Sequence, residues 1–115
     1  MVAREYVPDC GDLLWLDFSP QAGHEQAGRR PAVVLSPRAY NDKSHLAIVC
    51  PITSRVKGYP FEVTLPQGLP IAGVILADHL KSVDWGERRA ERAGRVPKRV
   101  IEEVLSRLAP LLGLS

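Results

Sequence analysis

The sequence has only two cysteines, Cys10 and Cys50, where small secreted domains carry dense, even sets to staple a fold without much core. Disulfides are therefore excluded as the organising device, and both residues are expected as thiols in a reducing cytoplasm. No apolar run approaches the roughly 18 residues of a membrane span. The opening stretch MVAREYVPD lacks the basic start and hydrophobic core of an export signal, so neither insertion nor secretion is expected. His24, His45 and His79 join the cysteines as five soft ligands, but none sit at the short paired spacings of zinc sites, and a structural metal is not expected. The formal net charge of +2 is too small to mark a nucleic-acid binder by itself.

What is present is ordinary globular material, 115 residues with 45% apolar and 24% charged side chains, which fits one domain spanning residues 1–115. Charge is spread unevenly along it. From Met1 to Glu25, Arg4 faces five carboxylates for a net of −4, whereas Arg29 to Lys57 carries six basic residues against Asp42 for a net of +5. A local basic face attracts phosphates, although charge alone equally describes a solvated surface.

GDLLWLDF, from Gly11 to Phe18, is short, apolar and aromatic and predicts a first strand. The twelve residues Ser19 to Arg30 have no apolar period and predict a long exposed loop, a common seat of function. Pro31 then opens a buried strand, PAVVLS, with Arg30 at the junction. HLAIVCPI, from His45 to Ile52, predicts a third strand, with Thr53 opening the turn into FEVTL at Phe61 to Leu65. Gly73 to Asp78 and His79 to Trp85 read as further strands with an ill-defined boundary. Gly86 to Gly94 reads only as a charged stretch. The terminal segment sets Val100, Ile101, Val104, Leu105, Leu108, Leu111 and Leu112 on one helix face, with Pro97 in its first turn and Pro110 fraying its end. Short strands followed by one amphipathic helix predict a mainly β protein, a small barrel or sheet with a helix packed on it.

Six pieces in order, GDLLWLDF, AGHEQAGRRPAVVLS, CPITS, KGYPFEV, LADHLKSVDW and the terminal helix, resemble the MazF/PemK/Kid family of toxin endoribonucleases, MazF most of all. The resemblance spans almost the whole chain. It implies an SH3-like, CcdB/MazF-type β-barrel with a C-terminal helix that forms a homodimer, works without metal or cofactor, and cuts single-stranded RNA at a short preferred sequence. It further implies a MazE-like acidic antitoxin as partner. The products implied are a 2′,3′-cyclic phosphate and a 5′-hydroxyl, so the attacking group is the ribose 2′-hydroxyl and no serine or cysteine nucleophile is required.

Arg30 matches the arginine of the family's loop motif and suits a phosphorane whose oxygens gain negative charge. Thr53 matches the threonine that closes a strand, where its hydroxyl would donate to a phosphate oxygen, with Ser54 assisting; outside the motif it reads as a turn-bonding hydroxyl. His24 matches a histidine of the Kid-type branch, suited to moving a proton or to stacking on a base, and Glu25 follows it. Asp78 matches an aspartate proposed as base in that branch. The arginine that stands two residues earlier there is Leu76 here, so the Asp–Arg pair is broken and Asp78 reads as an orienting or turn-capping group. Arg29, Lys57 and Tyr59 are candidates for RNA contact, while Phe61 and Trp85 read as core. Two other readings use the same chain: a noncatalytic CcdB-like toxin that binds gyrase, and an SH3-like module that holds nucleic acid without cutting it.

Overall fold

The computed structural model describes residues 6–18 and 28–114. In chain order these form β1 (Asp12–Phe18), β2 (Gly28–Val34), α1 (Arg38–Ser44), β3 (Leu46–Thr53), β4 (Glu62–Thr64), β5 (Val74–Leu76), β6 (Lys81–Asp84), β7 (Glu91–Arg95) and α2 (Lys98–Leu108). Short 3-10 turns occupy Ala77–His79 and Ala109–Leu112. The hydrogen-bonded order is β4-β5-β3-β2-β1-β7, with β6 also on β3, and every pairing is antiparallel. The mainly β class and the terminal helix agree with the sequence. The sheet, however, is not closed: β4 and β7 end the path without pairing to each other.

Successive residues of β1, β2 and β3 point to opposite faces, and both faces are buried. Leu13, Val33, Cys50 and Ile52 join Val100, Val104 and Leu108 of α2 in one cluster, while Leu14, Leu16, Ala32, Val34 and Val49 join Val83 and Trp85 in another. That two-sided burial is why these strands read as near-continuous apolar runs rather than as alternating ones. Trp85 is core as expected; Phe61 is half-buried. Both cysteines are free, Cys10 half-buried and Cys50 buried.

The departures from expectation have local causes. β2 begins at Gly28, three residues before Pro31, so Arg29 and Arg30 are strand residues opposite Asp17 and Leu16 rather than the end of a loop. Proline is tolerated there because β3 pairs with β2 only from Ala32 onward, leaving that edge open. α1 has no apolar period to read, since its one buried residue is Asn41, whose side chain bonds Pro8 O at 2.8 Å and Ser36 O at 3.0 Å. β7 lies inside the stretch read as merely charged; it is a polar strand on the sheet edge, paired with β1 through a bulge at Leu13/Leu14. The terminal apolar face is shorter than expected. α2 buries Val100, Ile101, Val104 and Leu108, but Leu105, Leu111 and Leu112 are exposed. Pro110 supplies no backbone donor, the chain tightens into the 3-10 turn, and the last leucines rotate off the buried face. Pro97 stands at the N-cap position, just outside the first turn, and makes no side-chain capping bond.

β3 carries the site. β2 runs along one of its edges; the other is shared in succession by β6 on Leu46–Val49 and by β5 on Ile52 and Thr53. The 3-10 turn at Ala77–His79 makes the corner between those partners and puts Asp78 and His79 close to the end of β3.

Candidate functional site

An open cleft of about 460 Å³ lies where β1, β2 and β3 meet the segment before β5, with Trp15, Arg30, Thr53, Ser54 and Ile71 among its walls. Arg29 and Arg30 are adjacent on β2 but differ in what holds them. The Arg29 guanidinium is engaged by Asp17 Oδ1 at 2.6 Å, by the carbonyls of Arg89 and Trp15 at 2.8 and 3.1 Å, and by Glu91 at 3.4 Å. It ties β1, β2 and the approach to β7 together at the rim of the cleft. Arg30, exposed, has no ion pair among the described residues. A guanidinium left without a carboxylate at a concave surface keeps its fork of donors for an anion.

Thr53 is the last residue of β3, paired with Val74. Its Oγ1 accepts the Arg55 backbone N–H at 3.1 Å. The turn-bonding hydroxyl read from sequence is thus real, and it is compatible with function: the bond uses an oxygen lone pair and orients the group, while the hydroxyl proton remains to be donated into the cleft. Gly73 fits against this residue from the other strand. With φ +124°, a Cβ on it would lie 2.3 Å from the Thr53 carbonyl oxygen, so the close approach that seats Thr53 requires glycine. Ser54 is exposed beside it.

Asp78 is not brought to Arg30. It lines a second cavity of about 200 Å³ with Lys57, Tyr59 and His79, and of the residues on the first cleft's wall only Thr53 is shared. The Lys57 ammonium sits 5.8 Å from the Tyr59 ring centroid, and His79 Nε2 is 3.9 Å from Asp78 Oδ1. Behind this wall, burial and then the Asp78 charge push the Cys50 thiol up to about 12, which keeps it protonated and unreactive at neutral pH. His24 and Glu25 lie outside the described residues.

Residues that sequence reasoning did not single out also take part. In the sequence Trp15 reads only as part of a strand, and nothing in the period of β1 distinguishes a cleft-lining tryptophan from a core one. Ile71 follows the breakers Pro66, Gly68 and Pro70, which mark a turn but not what it faces. His79 had a local signal, a histidine directly after Asp78. Among the described residues no group of three or more His, Cys, Asp or Glu side chains is arranged to hold a metal ion, and no helix is long and apolar enough to cross a membrane.

Residues 9–112 match the family model for the PemK-like, MazF-like toxin of type II toxin-antitoxin systems. The endoribonuclease toxin MazF of Escherichia coli (strain K12) is 49% identical over 113 residues, 98% of this chain and all of that protein. The endoribonuclease PemK of Escherichia coli is 35% identical over 118 residues, 97% of this chain and 87% of that one. The crystal structure of MazE-MazF (Form-II) from Deinococcus radiodurans superposes with a TM-score of 0.91 at 60% identity, covering 96% of this chain and 100% of its counterpart. With Arg30 and Thr53 on one cleft in a fold shared along nearly its full length, the chain belongs to the PemK-like, MazF-like family of type II toxin–antitoxin toxins.

Proposed function

We propose that this protein is an endoribonuclease toxin that cuts single-stranded RNA, mRNA in the cell, at a short preferred sequence and is neutralised by a cognate MazE-like antitoxin. The observation that carries the reading is the presence on one open cleft of the Arg30 guanidinium, without an ion pair among the described residues, and a pre-oriented Thr53 hydroxyl. Relatives named as endoribonucleases and a neighbour solved as a toxin–antitoxin complex support the same reading.

The 2′-hydroxyl of the substrate attacks the adjacent phosphorus as its proton leaves, and the bond to the 5′-oxygen breaks as that oxygen takes up a proton. The products are a 2′,3′-cyclic phosphate and a 5′-hydroxyl. Arg30 and Thr53 bond the nonbridging oxygens, and those bonds strengthen as charge builds in the transition state. The two protons need carriers, and His24 and Glu25 are the candidates. Ser54 is a further donor beside Thr53. Arg29 holds the start of β2 and with it Arg30, and its rim position puts it within reach of passing RNA; Lys57 and Tyr59 extend the contact surface beyond Thr53. Neither metal nor cofactor has a step in this chemistry.

The protein acts in the cytoplasm as a homodimer. Exposed leucines at the end of the chain, Leu111, Leu112 and Leu114, supply apolar surface that self-association would cover. The antitoxin lays an acidic segment across the basic face and blocks RNA by taking the same charges.

The decisive experiment uses end-labelled RNA in excess EDTA, with and without a single 2′-deoxy substitution at the cut site. Cleavage of the all-ribose strand and none of the deoxy strand is expected. A deoxy strand still cut at the same bond would exclude the mechanism, and activity recovered only on adding a divalent ion would exclude metal independence.

A further inference from the structure

The second cavity is not needed for the phosphate chemistry, yet it opens beside it. Its walls include Thr53, Arg55, Lys57, Tyr59, Leu76, Asp78 and His79, and its volume of about 200 Å³ lies below the roughly 300–1,000 Å³ of pockets that hold drug-sized ligands. That is room for one planar ring system and not for a longer segment. Because Thr53 belongs to both cavities, anything entering the second is an immediate neighbour of a phosphate in the first. In a nucleotide chain, that neighbour is a base.

The chemistry of the walls is selective. Tyr59 is 59% exposed and presents a ring with the Lys57 ammonium beside it, an arrangement suited to stacking a base whose phosphate the lysine attracts. Glu62 also borders the cavity, but its carboxylate already accepts the backbone N–H groups of Lys57 and Gly58 at 3.1 and 2.9 Å. Asp78 is different. Its one charged contact among the described residues is His79 Nε2 at 3.9 Å, too long for a hydrogen bond, so its acceptor oxygens remain available. An ionised carboxylate only accepts. At the position it faces, it therefore favours an exocyclic amino group, which adenine, cytosine and guanine carry, over a carbonyl oxygen.

We propose that this cavity is a specificity pocket for one base next to the scissile phosphate, selecting bases with an exocyclic amino group through Asp78, with Tyr59 as the stacking platform. The assignment rests on the RNA-cleaving function proposed above and changes the part given to Asp78, from an orienting or turn-capping group to a reader of the substrate. His79 lies beside the carboxylate on the same wall.

The test uses the full-length protein and short single-stranded RNAs of its preferred cleavage sequence, each with a 2′-deoxy group at the cut site so that binding is read without cleavage. At each position in turn the amino group is deleted: purine for adenine, inosine for guanine, the 4-unsubstituted pyrimidinone for cytosine. At one position flanking the cut, this deletion is expected to weaken binding by the wild type roughly 5- to 150-fold, the range for one good base-edge contact. In Asp78→Ala the difference should collapse, while Tyr59→Ala should weaken binding of both members of the pair alike. Should Asp78→Ala fail to fold, as judged by melting, Asp78→Asn is read instead, and it should narrow the difference without removing it. Discrimination that survives at full size in the Asp78 variant, or that occurs at no position, overturns the pocket. All-ribose strands run in parallel separate the two claims. RNA bound with the amino preference but never cut sinks the nuclease and leaves the pocket standing; RNA cut with no such preference does the reverse.

Discussion

At the scale of single residues, Arg29 and Arg30 show how far identity falls short of role. The sequence offers two arginines in a row, and only the contacts show that Asp17, Glu91 and two carbonyls engage the first while the second has no ion pair among the described residues. Arg30→Ala and Thr53→Ala should each lower the cleavage rate by about 10²-fold or more with a much smaller loss of RNA affinity, since the bonds proposed for them strengthen as the phosphate gains charge. Single-turnover rates and binding constants on the same oligonucleotide check this; wild-type rates in both folded variants would remove these residues from the mechanism. Thiol chemistry supplies a second test. Cys50 titrates well above its ordinary 9.0 when folded, at about 12, so the stability it lends is complete below pH 9 and is lost as pH rises toward 12. Burial, then the bond to Asp12, raise the Tyr6 phenol in the same direction. Melting temperature should therefore fall on the alkaline side, and the fall should be shallower in Cys50→Val. A thiol reagent at neutral pH should titrate the half-buried Cys10 well before Cys50.

At the scale of elements, the seat of Thr53 depends on the strand beside it. In Gly73→Ala the new methyl would meet the Thr53 carbonyl and the residue would also hold a positive φ. The expected cost is about 1–3 kcal/mol by chemical denaturation, together with a drop in cleavage larger than the stability loss accounts for. A folded Gly73→Ala protein with unchanged melting and activity would show that the contact does not seat Thr53. Elements with an apolar run or period, β1, β3 and α2, were legible in the sequence because burial leaves that trace. α1 and β7 were not, because Asn41 anchors the first by polar bonds and edge pairing to β1 holds the second, and neither leaves a periodic signature. The site was legible as residue types through the family motif, but not as a division of labour: that Arg30 and Asp78 line different cavities follows from the corner at Ala77–His79, which no pattern along the chain marks.

At the scale of the whole molecule, the basic segment from Arg29 to Lys57 makes RNA affinity a function of salt. The slope of log affinity against log salt should flatten by about 0.7 for each phosphate contact removed, so Lys57→Ala and Arg30→Ala should each reduce it by roughly that amount, measured by anisotropy over a salt series. The two-sided burial of β1, β2 and β3 reaches further. When both faces of a strand are apolar, sliding it by one residue exchanges one greasy set for another, and burial barely distinguishes the native register from its neighbour. The distinction falls to a few polar anchors. Asp12, buried at the head of β1, accepts from Tyr6, from Arg95 at 3.1 Å and from the Asp9 backbone at 3.0 Å, and a slipped strand would carry that carboxylate away from Arg95, its partner on β7. Asp12 is in this sense a frame mark for the chain. Asp12→Leu should leave the burial of β1 nearly intact yet yield a protein with doubled amide resonances along β1 and β2, as two alignments of the same hairpin compete; a single, sharp set of signals would show that the frame is fixed elsewhere.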